Sequence, residues 1–160
     1  MKLYIDFDGV ILDTVSLYMD IINEAKAFTE EDRRAIFKDL DWDIIIEEAD
    51  EINNSLDNIK RIIGSNKYEV SILTHVNSEN EFKAKESFMM KNGINIPVIP
   101  VYRPDPKISK VDPNHAILID DTIENLILWE EQGGIGVYFS DNEKNYPIKN
   151  ITSLEEILDF

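Results

Sequence analysis

The 160-residue sequence has no cysteine. That absence excludes a disulfide framework, an iron–sulfur cluster, a thiolate zinc site and a cysteine nucleophile. Positive charge is scarce as well: 16 Lys and Arg stand against 32 Asp and Glu, for a formal net charge of −16. Such a surface repels phosphate at long range. Neither a nucleic-acid polymer nor an anionic membrane is an expected partner, because both are gripped by Lys and Arg that displace counterions. Long apolar runs are missing too. No stretch approaches the ~18 apolar residues of a membrane span, and Asp6, Asp8 and Asp13 interrupt the start where a secretory signal would be apolar. A soluble cytoplasmic protein is the default expectation. With only six Gly and six Pro, the chain shows no low-complexity linker. What it does have is 43% hydrophobic residues, enough to bury a core in one domain with a modest insertion.

Leu3-Tyr4-Ile5 is a short apolar run that turns acidic at Asp6-Phe7-Asp8 and reaches Gly9. It reads as a buried strand ending in a loop. From Thr14 to about residue 66 the periodicity becomes helical, through Leu17, Ile21, Ile22 and Ala25, then Ala35, Ile36 and Leu40, then Ile44 to Ile63. Thr29 followed by Glu30-Glu31-Asp32 supplies an N-cap, and Gly64 a stop. Beyond this block strands and helices alternate. Val70 to Leu73 is a strand halting at Thr74-His75, and Ser78 caps a helix that Asn92-Gly93 closes. The run from Ile96 to Val101, broken by Pro97 and Pro100, suits an edge strand or an extended loop better than a central strand. Ala116 to Ile119 is the clearest buried strand and ends at Asp120-Asp121. A helix carrying Leu126 and Trp129 inward follows, then a strand over Ile135 to Phe139 and a capped C-terminal helix from Ser153.

This alternation predicts an α/β fold, a three-layer Rossmann-like parallel sheet with helices on both faces, in which ligands bind at the carboxyl ends of the strands. The core comprises 1–13 and 67–160, and 14–66 forms a small helical cap over that edge. Asp6, Asp8, Thr74, Asp120 and Asp121 all fall where an apolar strand runs out. Paired acids at the end of one strand are tolerable if a hard divalent cation lies between them, a second acidic pair on another strand would complete the site, and an all-oxygen site suits Mg²⁺ better than zinc.

Asp6-Phe7-Asp8-Gly9-Val10, Thr74 after Ile72-Leu73, and Asp120-Asp121 after Ile117-Leu118-Ile119 resemble, in order, motifs of the haloacid dehalogenase-like hydrolase superfamily. The resemblance implies an Mg²⁺-dependent phosphatase acting through an aspartyl phosphate. Asp6 would be the nucleophile, Asp8 the general acid/base, Thr74 a phosphoryl ligand, and Asp6, Asp8 (through its carbonyl), Asp120 and Asp121 the metal set. It also implies a Lys before the acidic strand. Lys107 and Lys110 both fit; Lys110, ten residues before Asp120, is favoured because that spacing resembles the deoxyribonucleotidase branch. The implied substrate is a small phosphomonoester, foremost a nucleoside or deoxynucleoside monophosphate, with a sugar phosphate as the alternative. Trp42 is a candidate for stacking on a base, His75 for contacting phosphate and Asn125 for bracing the acidic loop. A non-catalytic phosphate-binding protein on the same fold is a further alternative. A receiver domain is disfavoured by the position of Asp6-Phe7-Asp8 and by the helical block that follows it.

Overall fold

The computed structural model describes residues 1–27, 29–140 and 147–160. Its centre is a six-stranded, all-parallel sheet ordered β3-β2-β1-β4-β5-β6. The strands are β1 (Lys2–Ile5), β2 (Glu69–Val76), β3 (Val98–Tyr102), β4 (Ile117–Asp120), β5 (Ile135–Phe139) and β6 (Lys149–Ile151). The proline-broken β3 lies at the edge, where a missing N–H is harmless. Strand alternation splits the core into two layers. Leu3, Ile5, Ile72, Ile117 and Ile119 face one side, packed by α4 (Ser55–Gly64) and α5 (Glu79–Lys91). Tyr4, Leu73 and Leu118 face the other, packed by α6 (Ile123–Glu131) through Leu126 and Trp129. These are the expected three layers. Among the described residues, no helix is long and apolar enough to cross a membrane.

The helical insertion divides differently from the 14–66 expectation. α1 (Thr14–Glu24), α2 (Glu30–Asp39) and α3 (Trp42–Glu48) form it. Its two ends are stitched together below: Leu12 bridges Glu51 antiparallel, Asp13 N–H donates to Asp50 O, and Ile52 N–H donates to Ile11 O. The cap therefore closes near residue 50. α4 belongs to the core layer, because Ile59 and Ile62 are fully buried against the sheet side and the helix packs on the C-terminal 3₁₀ helix, Leu154–Asp159. α2 was expected to bury Ala35 and Ile36, and none of its residues is buried. It lies over a cavity and turns Arg33, Arg34 and Phe37 toward it.

Caps set these boundaries as the sequence suggests. Thr29 accepts from Asp32 N–H and Ser78 from Glu81 N–H. Ser153 and Glu156 form a reciprocal capping box. The short, polar β6 was not expected; it extends the sheet beside β5.

Candidate active site

Every strand-end residue singled out by sequence lies at the carboxyl edge, beneath a cavity of about 370 Å³ roofed by α1 and α2. β1 delivers Asp6. The chain then turns sharply, with the N–H groups of Val10, Ile11 and Leu12 all directed at Phe7 O. Gly9 sits in this turn at φ +74, and a Cβ there would lie 2.1 Å from Asp121 Oδ2. Only glycine lets the first acidic loop approach the second so closely.

Carboxylate oxygens of Asp6, Asp120 and Asp121 lie within 4.8 Å of one another. Asp120 is fully buried and heavily tethered. Thr122 N–H donates to Oδ1 at 2.8 Å, while Asn125 Nδ2 and Lys107 Nζ donate to Oδ2 at 2.9 and 2.6 Å. Asn125 thus braces the acidic loop, as its position suggested. Asp6 Oδ1 is buried and lies 2.8 Å from Lys107 Nζ, an ammonium group it shares with Asp120. Burial raises the Asp6 pKa, and the neighbouring Asp120 and Asp8 add to that against the pull of Lys107. The Asp121 carboxyl is pushed up to about 7, by burial first and then by Asp6 and Asp120. Three crowded acids with one buried ammonium group among them are what a hard cation relieves, and an all-oxygen donor set fits Mg²⁺.

The lysine in this cluster is Lys107, not Lys110. Lys107 is 2% exposed, whereas Lys110 is exposed at the end of the 3₁₀ turn Lys107–Ser109 and pairs with no acid among the described residues. Three residues of 3₁₀ helix advance about 6 Å, so an ammonium group that reaches Asp120 from position 107 leaves position 110 outside. Burial alone would lower the Lys107 pKa; the carboxylates of Asp120 and Asp6 overturn this and raise it.

Asp8 lines the cavity, but its carboxylate stands apart from the three-acid cluster. Oδ1 accepts from Thr14 Oγ1 at 2.6 Å and Oδ2 from Lys85 Nζ at 2.5 Å. Thr74 is fully buried under the cavity, where its hydroxyl accepts from Lys85 and donates to His75 O. His75 lines the wall with Nε2 3.0 Å from Asp105 O. Burial, then Arg103 and Lys107, push its pKa down to about 4, so it is neutral. Trp42 touches the cavity but is 1% exposed, packed in the core with its indole N–H donating to Phe37 O, so it offers no open face for stacking. The aromatic pair at the cavity is Tyr18 with Phe37, edge to face at 5.1 Å.

Lys85 was not foreseen. On α5 it forms an i,i+4 pair with Glu81, a pattern that usually marks an exposed face. The signal was the stripe Glu81, Ala84, Lys85, Phe88, Met89, whose i, i+3, i+4, i+7, i+8 spacing is that of an inward face; four of the five are buried and Phe88 is partly so.

No protein-family model and no curated protein matches the chain. Solved structures do. A haloacid dehalogenase-superfamily hydrolase of subfamily IA from Geobacter sulfurreducens superposes with TM-score 0.66 at 15% identity, over 99% of this chain and 98% of that one. D,D-heptose 1,7-bisphosphate phosphatase from Burkholderia thailandensis gives 0.59 at 15%, over 99% and 97%. A dehalogenase solved with an intermediate complex gives 0.67 at 15%, over 99% and 95%. The chain has the haloacid dehalogenase-like hydrolase fold.

Proposed function

We propose that this protein is an Mg²⁺-dependent phosphatase that hydrolyses a small phosphomonoester through an aspartyl phosphate on Asp6. The observation that carries the reading is the separation of two cavity-facing carboxylates two residues apart into different environments. Asp6 is in the acidic cluster beside Lys107, and Asp8 is held away from it by Thr14 and Lys85. A displacement at phosphorus needs one carboxylate to attack and another to serve the leaving oxygen. Displacement of halide at carbon needs no acid for the leaving group, so Asp8 favours phosphoryl over haloacid substrates.

Asp6, Asp120 and Asp121, with the carbonyl of Asp8, are the residues that would hold Mg²⁺. When bound, the metal supplies positive charge against the phosphoryl oxygens. Asp6 then attacks in line, and Lys107 offsets the repulsion between its carboxylate and the anionic substrate, about 4 kcal/mol for unit charges at ~4 Å and an effective dielectric of ~20. Asp8 protonates the departing alkoxide. It next takes a proton from the water that opens the acyl phosphate. The insertion's roof limits the substrate to a small molecule, and the edge-to-face pair Tyr18 and Phe37 gives the cavity an aromatic lining. With Lys107 rather than Lys110 in the cluster the ten-residue spacing no longer speaks for a nucleotide, so a nucleoside or deoxynucleoside monophosphate rests on the aromatic lining of the cavity, with a sugar phosphate as its rival.

The test is a phosphate-release panel of nucleoside monophosphates, sugar phosphates and p-nitrophenyl phosphate, with Mg²⁺ and with excess chelator. Release with Mg²⁺, its loss in chelator and in Asp6→Asn, and preference for nucleotides are expected. Equal rates for all esters defeat the nucleotide preference. Halide release from a 2-haloacid with no phosphate release from any ester defeats the phosphatase reading.

A further inference from the structure

The mechanism above gives Lys85 no task, yet its side chain is 0% exposed. Its ammonium group lies 2.5 Å from Asp8 Oδ2, 2.7 Å from Glu81 Oε1, 3.1 Å from Thr74 Oγ1 and 2.9 Å from His75 O. Three protons meet four acceptors, so no donor is left for a ligand. Lys85 does not line the cavity, and the rings of Phe7 and Trp42 flank it at 5.5 and 5.4 Å. It is therefore not a phosphate ligand.

Its two side-chain partners besides Glu81 are both site residues on different elements: Asp8 beyond β1 and Thr74 in β2. Glu81 is in turn anchored from the other side, its Oε2 accepting from the backbone N–H and Nδ2 of Asn77 at 2.7 and 3.1 Å. A run of hydrogen bonds thus extends from Asn77 through Glu81, Lys85 and Asp8 to Thr14, the first residue of the cap. Stability alone does not call for it. A buried ion pair exchanged for well-packed apolar groups often leaves stability unchanged or improved.

We infer that Lys85, anchored by Glu81, is the positioning residue that sets the Asp8 carboxylate at the leaving-group oxygen and registers it against Thr74. The inference rests on Asp8 being the acid/base of the proposed phosphatase. An acid must come within about 2.6–3.2 Å of the atom it protonates. A misplacement of about 1 Å costs on the order of a hundredfold in rate. Releasing Asp8 from Lys85 then harms only those reactions whose leaving group needs a proton.

The experiment compares kcat/KM for a nucleoside 5′-monophosphate, whose alkoxide must be protonated, with that for p-nitrophenyl phosphate, whose phenolate leaves without help. This ratio reads the steps up to leaving-group departure, before Asp8 acts as a base. Lys85→Met/Glu81→Gln removes both charges at similar volume, so Glu81 is not left as a buried unpaired ion, while Asp8 keeps its bond from Thr14 and its face on the cavity. Glu81→Gln alone keeps the lysine and loosens its anchor. Melting temperatures are measured alongside. For the double variant a loss on the order of a hundredfold with the nucleotide and less than about tenfold with p-nitrophenyl phosphate is expected, with the same bias in smaller degree for Glu81→Gln. Equal losses on both esters, or none on either, overturn the inference while leaving the phosphatase intact. A wild-type protein that releases phosphate from neither ester overturns the phosphatase reading, and this one with it.

Discussion

Replacing Lys107 by Met tests the centre of the site, because one ammonium group there neutralises two buried carboxylates. It lies 2.6 Å from Asp120 Oδ2 and 2.8 Å from Asp6 Oδ1, with all three side chains at most 10% exposed. At those distances and an effective dielectric of ~20, each contact has about 6 kcal/mol of Coulomb attraction. Much of that is offset by the cost of taking three charges out of water. What remains on deleting one partner of such a group is roughly 3–5 kcal/mol, since the acids left behind stay buried. For a chain of this size that lowers the melting temperature by on the order of 10 °C in chelator. Mg²⁺ restores part of the lost charge, so it raises the melting point of the variant more than that of the wild type. Turnover falls on the order of a hundredfold or more, because a preorganised cation no longer faces the developing charge. The control is Lys110→Met, at an exposed side chain, expected to keep its rate and to stay within about 0.5 kcal/mol of wild-type stability. Thermal denaturation and phosphate release on the two variants decide the matter. A dead Lys110→Met beside an active Lys107→Met, or a Lys107→Met of unchanged melting temperature, would refute the reasoning.

Mg²⁺ should stabilise the wild-type protein by about 2.7 kcal/mol at a hundredfold excess over its dissociation constant; a thermal shift abolished in Asp120→Asn supports the three-acid cluster as its site, and an undiminished shift locates the metal elsewhere. His75 gives a pH signature. Its folded pKa of about 4 lies below the ordinary 6.5, so the unfolded chain binds the extra proton first, and its contribution is complete above about 6.5 and is lost as pH falls toward 4. The full shift corresponds to about 3 kcal/mol, reduced by solvent exposure to roughly 1–2. Urea unfolding of wild type and His75→Asn at pH 7 and 4.5 should show a shallower pH dependence in the variant, and parallel curves would contradict the assignment.

The strand ends were legible because the sheet is buried on both faces. Continuous apolar runs such as Ala116 to Ile119 mark the strands, and the first charged residue marks the exit. Caps at Thr29, Ser78 and Ser153 were legible because their side chains act on N–H groups only two or three residues away. What failed to show depended on distant contacts. Spacing counted back from Asp120 could not tell Lys107 from Lys110, since the choice is made by how one 3₁₀ turn docks against the acids. The end of the cap was hidden because α4 has the same helical periodicity as α1 and α3, and only its packing under the sheet distinguishes it. β6 offered three residues, two of them polar, and gets its conformation from β5. In Lys85 the pattern was visible but conflicted with the rule that lysine stays outside; four acceptors around one ammonium resolve the conflict.

The charge distribution makes an anionic substrate physically consistent with a chain of net charge −16. Of the four arginines in the sequence, Arg33, Arg34 and Arg103 all line the cavity. Arg34 is paired with Glu30, while Arg33 and Arg103 have no ion-pair partner among the described residues. Lys107 and Lys85 lie just beneath, each already matched to two acids. At physiological salt the Debye length is about 8 Å, so acids scattered over the outer surface are largely screened before their field reaches the cavity floor. Groups within a few ångströms are not. In the proposed reaction a phosphate in the cavity would therefore meet the guanidinium groups at the walls and, were Mg²⁺ held among Asp6, Asp120 and Asp121, a floor whose acids are largely offset. The same long-range repulsion that turns away a polyanion, whose charges extend beyond the cavity, acts weakly on a small ester that fits inside it.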